Sequence, residues 1–243
     1  CGVVAATGSG VTEWSEGDEV YGLVPFTRDG AAAEFTAVPA AHLAATPAGL
    51  DPDKAAALPL AGLTAWQGLV RHGGLRSGQR VLVHGGAGGV GVFAVQVAAA
   101  LGASVTATAA GRDADFVRGL GAEEVIDYAD EDFADRLSGA QAVDLVFDTV
   151  GGDTLTRSWQ VLRPGGVLVS IVAPPGDSGP DGARGVFFVV EPDRAGLEEL
   201  SKLVAAGRLD PPVAQVFPLE RTAEAYEELN RPHRRGKIVL KVS

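Results

Sequence analysis

Val81-Leu82-Val83-His84-Gly85-Gly86-Ala87-Gly88-Gly89-Val90-Gly91 is the stretch whose residue types and spacing could do chemistry. Three β-favouring residues run into five glycines within seven positions, and a long, mainly apolar run, 92–101, follows at once. Gly86, Gly88 and Gly91 fit the pattern G-x-G-x-x-G. Between a strand and a helix, that pattern sets a dinucleotide pyrophosphate on the helix N-terminus. The first glycine permits a tight turn and the second a close backbone approach to phosphate. The third lets the helix pack against its strand. On this reading Gly86, Ala87, Gly88, Gly89, Val90 and Gly91 form the phosphate cradle. A glycine-rich loop of no special purpose is the competing reading.

A turn of this kind needs a sheet behind it, and the surrounding sequence predicts one. Strands are expected at 80–84, 104–109, 124–126, 143–147, 167–172 and 186–190. Helices are expected between them at 90–101, 113–120, 132–137 and 153–162. Arg163-Pro164-Gly165-Gly166 reads as a stop after the last of these helices. Strict strand–helix alternation implies a parallel α/β sheet with helices on both faces, doubly wound by right-handed crossovers. Residues 173–185, rich in Pro and Gly, read as a loop.

The two ends of the chain differ in character. Short strands are expected at 2–6, 20–24 and 31–38. A helix then opens at Asp51-Pro52, breaks at Pro59 and resumes over 58–70. After an amphipathic helix at 193–206, β character returns at 213–219 and 237–242 around a helix at 222–229. This predicts one interrupted β domain, residues 1–57 and 192–243, with a dinucleotide-binding domain at 58–191 inserted.

Composition narrows the function classes. The chain has 243 residues and a formal charge of −11, which argues against a nucleic-acid groove or an anionic membrane surface as partner. Its one cysteine, Cys1, rules out an intrachain disulfide and a cysteine metal knuckle. No apolar run reaches the length of a membrane span and no signal peptide is evident, so a cytoplasmic setting is expected. The absence of methionine and the strand-like start Cys1-Gly2-Val3-Val4 predict a further N-terminal portion before Cys1.

Several motifs in order resemble one family. They are Gly8-Ser9-Gly10-Val11 with Gly17-Asp18-Glu19-Val20-Tyr21-Gly22, then Ala57-Leu58-Pro59-Leu60-Ala61-Gly62-Leu63-Thr64-Ala65-Trp66 and the glycine turn. Ile126-Asp127-Tyr128, Asp148-Thr149-Val150-Gly151-Gly152, Leu162-Arg163-Pro164-Gly165-Gly166 and Gly236-Lys237-Ile238-Val239-Leu240 complete the set. Together they resemble the medium-chain dehydrogenase/reductase superfamily, and within it the zinc-free, zeta-crystallin-like quinone oxidoreductases. The resemblance implies a Rossmann sheet inserted into a GroES-like β domain formed by both chain ends. It also implies NAD(P)H-dependent reduction of a quinone or an activated α,β-unsaturated carbonyl. Zinc-dependent relatives carry a cysteine ligand near the position of Ala61, which has no metal-binding atom, so no zinc is expected.

Cofactor choice is read at the end of the second sheet strand, where an acid would bind the ribose hydroxyls of NADH. Thr108-Ala109-Ala110-Gly111-Arg112 stands there instead, and a guanidinium suits the 2′-phosphate of NADPH. The resemblance puts Tyr128 beside the same phosphate. Asp113 either opposes that phosphate or caps the next helix, and Arg112 could equally be a solvated surface residue. The resemblance puts Thr64 near the nicotinamide, as a candidate catalytic or ring-orienting residue; back-bonding within its own helix is the alternative. Val150, Val172 and Phe187 fall near strand C-termini, where they would shield the nicotinamide or pack in the core. Lys237 would reach the cofactor or snorkel. His84 reads as packed rather than catalytic, and His42, His72 and His233 as structural or surface residues.

Three functions are in play. The first is an NADPH-dependent quinone or enone reductase. The second is an enoyl-thioester reductase, for which Arg231, His233, Arg234 and Arg235 are the only basic cluster. The third is a non-catalytic NADPH-binding protein. A homodimer through an apolar edge strand at 186–190 is expected.

Overall fold

Strand formation follows the apolar, β-branched runs. In a computed structural model describing residues 1–27, 30–176, 179, 182–231 and 235–242, the strands begin with Gly2–Val3 (β1), Glu19–Gly22 (β2), Leu43–Ala45 (β3) and Arg80–His84 (β4). Ser104–Ala109 (β5), Glu124–Asp127 (β6), Val143–Asp148 (β7) and Leu162–Ser170 (β8) follow. Arg184–Phe187 (β9), Val213–Pro218 (β10) and Lys237–Lys241 (β11) complete them. The α-helices are Pro52–Trp66 (α1), Gly91–Ala100 (α2), Ala114–Gly119 (α3), Phe133–Arg136 (α4), Gly152–Arg157 (α5), Arg194–Ala205 (α6) and Thr222–Leu229 (α7). Two units form: residues 64–189, and residues 1–63 together with 190–243.

The first of these units is a doubly wound α/β sheet. Its six strands lie in the order β6-β5-β4-β7-β8-β9, and every neighbouring pair is parallel. Relative to the first strand, this is the order 3-2-1-4-5-6 of a dinucleotide-binding sheet. Register aligns Leu82, Val146 and Leu168 in one row across three strands. That row forms a buried cluster with Ile126, Phe133, Leu137, Leu155 and Val161. All six residues of β7 are buried, as expected of a strand covered on both faces.

The other unit carries a three-stranded antiparallel sheet, β1-β2-β3, and a parallel pair, β10-β11. Its two chain segments are joined by polar contacts across long sequence separations. The buried Tyr21 hydroxyl donates to Leu197 O at 2.6 Å and lies 2.7 Å from Ser201 Oγ on α6. Burial pushes the Tyr21 phenol up to about 12, and the Ser201 hydrogen bond opposes that rise. Arg194 Nε donates to Leu43 O at 2.6 Å while its guanidinium covers the Trp14 ring at 5.3 Å.

Four expectations need correction. Residues 31–38 form no strand: Phe35 there is 77% exposed, and β2 pairs instead with Leu43–Ala45. Pro59 does not break the helix. α1 runs through it because Ala55, Leu58, Ala61 and Leu63 are fully buried, and their packing outweighs a proline cost of about 3 kcal/mol. Residues 163–166 do not precede a strand but lie in one. The register slips between Val143↔Leu162 and Leu145↔Val167, so they bulge out of β8, and Arg163 forms an ion pair there with the buried Asp144. The last sheet strand is Arg184–Phe187, not 186–190.

A π-helical segment, Gln67–His72, continues α1 and brings Gly68 against β7. A Cβ on Gly68 would stand 2.3 Å from Cε2 of the fully buried Phe147. Helix propensity favours alanine over glycine by roughly 1 kcal/mol, but overpacking a fixed core costs about 1–3 kcal/mol. Gly68→Ala should therefore lower unfolding stability in urea by about 1–2 kcal/mol. A raised midpoint would show that propensity wins.

Candidate functional site

The sheet reverses direction of growth between β4 and β7, whose carboxyl ends lie side by side with His84 paired to Asp148. Open α/β sheets bind ligands at such a switch point. The glycine turn occupies it. Gly85, not Gly86, takes the left-handed conformation of the turn, with φ 74°. Gly86 is needed for space, since a Cβ there would lie 2.9 Å from Ala107 Cβ and 3.1 Å from Val117 Cγ1. Its N–H donates to Thr108 O at 2.9 Å, tying the turn to β5. A Cβ on Gly91 would stand only 2.0 Å from Gly85 O, so nothing but glycine lets α2 start so close to the turn. Val90 caps α2 without a side-chain hydrogen bond, and residues 87–90 are half-exposed. A glycine-rich cradle at a helix N-terminus with no side-chain cap fits a dinucleotide pyrophosphate.

Beneath the turn lies a buried hydrogen-bond chain that sequence reading missed. His84 is fully buried, with Nδ1 3.2 Å from Thr108 Oγ1 and Nε2 3.0 Å from Ser158 Oγ. Ser158 Oγ donates to Thr154 O at 2.7 Å, so it accepts from His84 Nε2–H. Nδ1 then accepts from Thr108 Oγ1–H, and Thr108 Oγ1 accepts from Gly85 N–H at 3.2 Å. Thr149 Oγ1 donates to His84 O at 2.7 Å. The chain ties β4, β5 and the segment after α5 together under the phosphate cradle. Burial pushes the His84 imidazole down to about 4, against the pull of the Asp148 carboxylate, so the ring is neutral near pH 7. With both nitrogens engaged, His84 is packed and hydrogen-bonded, as its position predicts.

The remaining expected residues divide into three groups. Arg112 is exposed in the 3-10 turn Gly111–Asp113 after β5, and Tyr128 follows β6 on the next strand with its N–H on Ala109 O at 3.3 Å. The Asp127 carboxyl lies against Gly111, where a Cβ would meet Oδ2 at 2.1 Å. Asp113 stands at the N-cap of α3 but makes no capping hydrogen bond. Val150, Val172 and Phe187 sit at the ends of β7, β8 and β9, and are 51%, 48% and 42% exposed, so they are not core residues. These five residues and the glycine turn share one end of one sheet. Thr64 is buried on α1, and Lys237 opens β11 in the other unit.

Of the other histidines, His72 lies 4.5 Å from the Phe188 ring, and His42 Nδ1 is buried without a hydrogen bond. His233 and Arg234 lie outside the described residues, as does part of the loop at 173–185. Arg231 pairs with Glu228 at 2.8 Å. Among the described residues no cluster of three His, Cys, Asp or Glu could hold a metal, and no helix is long and apolar enough to cross a membrane.

The sheet order and the turn define a dinucleotide-binding α/β protein. A family described as zinc-binding dehydrogenase matches residues 120–240. The mitochondrial NAD(P)H oxidoreductase RTN4IP1 of Danio rerio is 31% identical over 99% of this chain and 70% of its own length. An NADPH-dependent alkenal/one oxidoreductase of Arabidopsis thaliana is 38% identical over 98% of this chain and 61% of its own. The solved quinone oxidoreductase of Coxiella burnetii superposes with a TM-score of 0.89 at 34% identity, covering 100% of this chain and 77% of that one. The chain belongs to the medium-chain dehydrogenase/reductase superfamily, in its quinone oxidoreductase family, and is a nicotinamide-dependent oxidoreductase.

The His84 environment predicts a pH dependence. The imidazole titrates near 6.5 in the unfolded chain and about 4 in the folded one. Between those values the unfolded state binds the extra proton, so stability should fall as pH drops from 6.5 towards 4. His84→Gln keeps an acceptor and a donor but no titrating ring, and its melting temperature should fall less steeply over that range. Parallel slopes would contradict this.

Proposed function

We propose that this protein transfers a hydride from NADPH to a quinone or an α,β-unsaturated carbonyl, without zinc. The observation that carries this reading is the exposed apolar trio Val150, Val172 and Phe187 at the carboxyl ends of the strands beside the glycine turn. Such a surface suits a nicotinamide ring and a planar, uncharged acceptor, and it keeps water away from both. The resemblance to the alkenal/one and quinone oxidoreductases supports the acceptor class.

Bound NADPH would supply the hydride; the chain supplies position. The turn from Gly85 to Gly91 holds the pyrophosphate at the start of α2. Arg112 and Tyr128 receive the 2′-phosphate, and Thr64 orients the ring. Lys237 is a further candidate contact. His84 gives up no proton, because both its nitrogens are engaged in the buried chain. Hydride transfer leaves one proton to be added to the hydroquinone or saturated ketone, and solvent or an acid outside this chain supplies it. Zinc independence is supported by Ala61, which offers no ligand atom, and by the single, exposed cysteine. Chelation should leave turnover unchanged.

Adding 1,4-naphthoquinone or a simple enone to protein and NADPH should accelerate NADPH oxidation. Faster turnover of a crotonyl thioester would favour the enoyl-thioester reading. Binding without transfer to any acceptor would leave only a nucleotide-binding protein. Arg112→Ala should raise the KM for NADPH by about tenfold or more, the loss of a charge-assisted contact. The KM for NADH should barely change. Equal effects on both cofactors would remove Arg112 from the phosphate site.

A homodimer through β9 belongs to the same reading. That strand is a sheet edge; its Phe187 and, just beyond it, Val189 are 42% and 62% exposed. Light scattering should give twice the chain mass, and Val189→Lys should shift the protein towards monomer.

A further inference from the structure

Asp148 and Ser170 are fully buried, paired in register at the carboxyl ends of β7 and β8. Hydride transfer as described gives neither of them a task. Their hydrogen bonds do. Asp148 Oδ1 accepts from the N–H groups of Val150 and Gly151, each at 3.1 Å. Oδ2 accepts from Gly151 N–H at 3.1 Å and from Ser170 Oγ–H at 3.0 Å. Ser170 Oγ accepts in turn from Val172 N–H at 3.2 Å and Ala173 N–H at 3.4 Å.

Every peptide group held this way belongs to Val150, Val172 or the residue that follows one of them. The two loops also touch. Gly151 has φ 78°, and a Cβ on it would lie 2.7 Å from Val172 Cγ1. One carboxyl and one hydroxyl thus clamp together the two loops that display the exposed valines. The bonds are chemically directed, because every donor is an N–H or O–H aimed at the carboxyl or the hydroxyl.

We propose that Asp148 and Ser170 are positioning residues that set, through the backbone, the valine pair facing the nicotinamide ring. The inference rests on the reading of this sheet end as a nicotinamide site. It assigns the pair a role in aligning the ring, separate from the grip on phosphate at the glycine turn.

Two variants test it. Ser170→Ala removes the hydroxyl that links Asp148 to the second loop, without adding volume. Asp148→Asn keeps size and shape but, whichever way the amide is turned, points a donor at another donor. Both should lower the single-turnover rate of NADPH oxidation by 1,4-naphthoquinone, on the order of tenfold to a hundredfold. Affinity for 2′,5′-ADP, which lacks the ring, should stay within a few-fold, and the fluorescence of bound NADPH should shift. Should Asp148→Asn fail to fold, Ser170→Ala decides alone.

A folded Ser170→Ala protein with lowered melting temperature but unchanged rate and fluorescence would overturn the proposal. So would equal losses in rate and in 2′,5′-ADP affinity. If the unaltered protein binds NADPH but reduces no acceptor, the functional reading fails, and the fluorescence shift still decides the positioning. If it binds no NADPH, both fail.

Discussion

A glycine held against a carbonyl oxygen is the contact on which the α/β unit depends. The Cα of Gly91 lies so near Gly85 O that a Cβ would intrude to 2.0 Å. This approach lets α2 begin within a few residues of the end of β4 while its N-terminus still faces the carboxyl end of the sheet. Any side chain would push the helix off its strand. Nine of the ten residues of α2 are buried, so the displacement would reach the core as well as the site.

The α/β half of the fold was legible because its signals repeat. β4 and β5 fall where apolar patterning and turn residues put them, and β4 ends where the glycines begin. Three of the four misreadings share a cause. Residues 31–38 alternate weakly, but no neighbouring strand takes them up, and pairing decides what is a strand. Pro59 and the Arg163-Pro164-Gly165-Gly166 bulge carry strong local signals that burial and the Asp144–Arg163 pair override. Local punctuation yields to tertiary contact at all three.

The candidate site was legible to the same extent. Gly86, Gly88 and Gly91 stand in a contiguous pattern, and Val150, Val172 and Phe187 follow apolar runs. The His84–Thr108–Ser158 chain and the Asp148–Ser170 clamp leave no such trace. His84 meets Thr108 across 24 residues and Ser158 across 74, and Ser and Thr are too common to announce a partner. The backbone role of Gly85 was hidden for a different reason. In a run of five glycines, composition does not say which one turns left-handed.

The helix α2 has almost no solvent face, and its polar side chain, Gln96, is satisfied by Val92 O in its own turn at 2.9 Å. A helix apolar all round keeps its structure only while buried. It therefore opens with the whole sheet rather than by itself, and its amides should be among the last to exchange with solvent. A nucleotide seated at the head of α2 would thus brace the entire unit against unfolding, by the mass action of its binding.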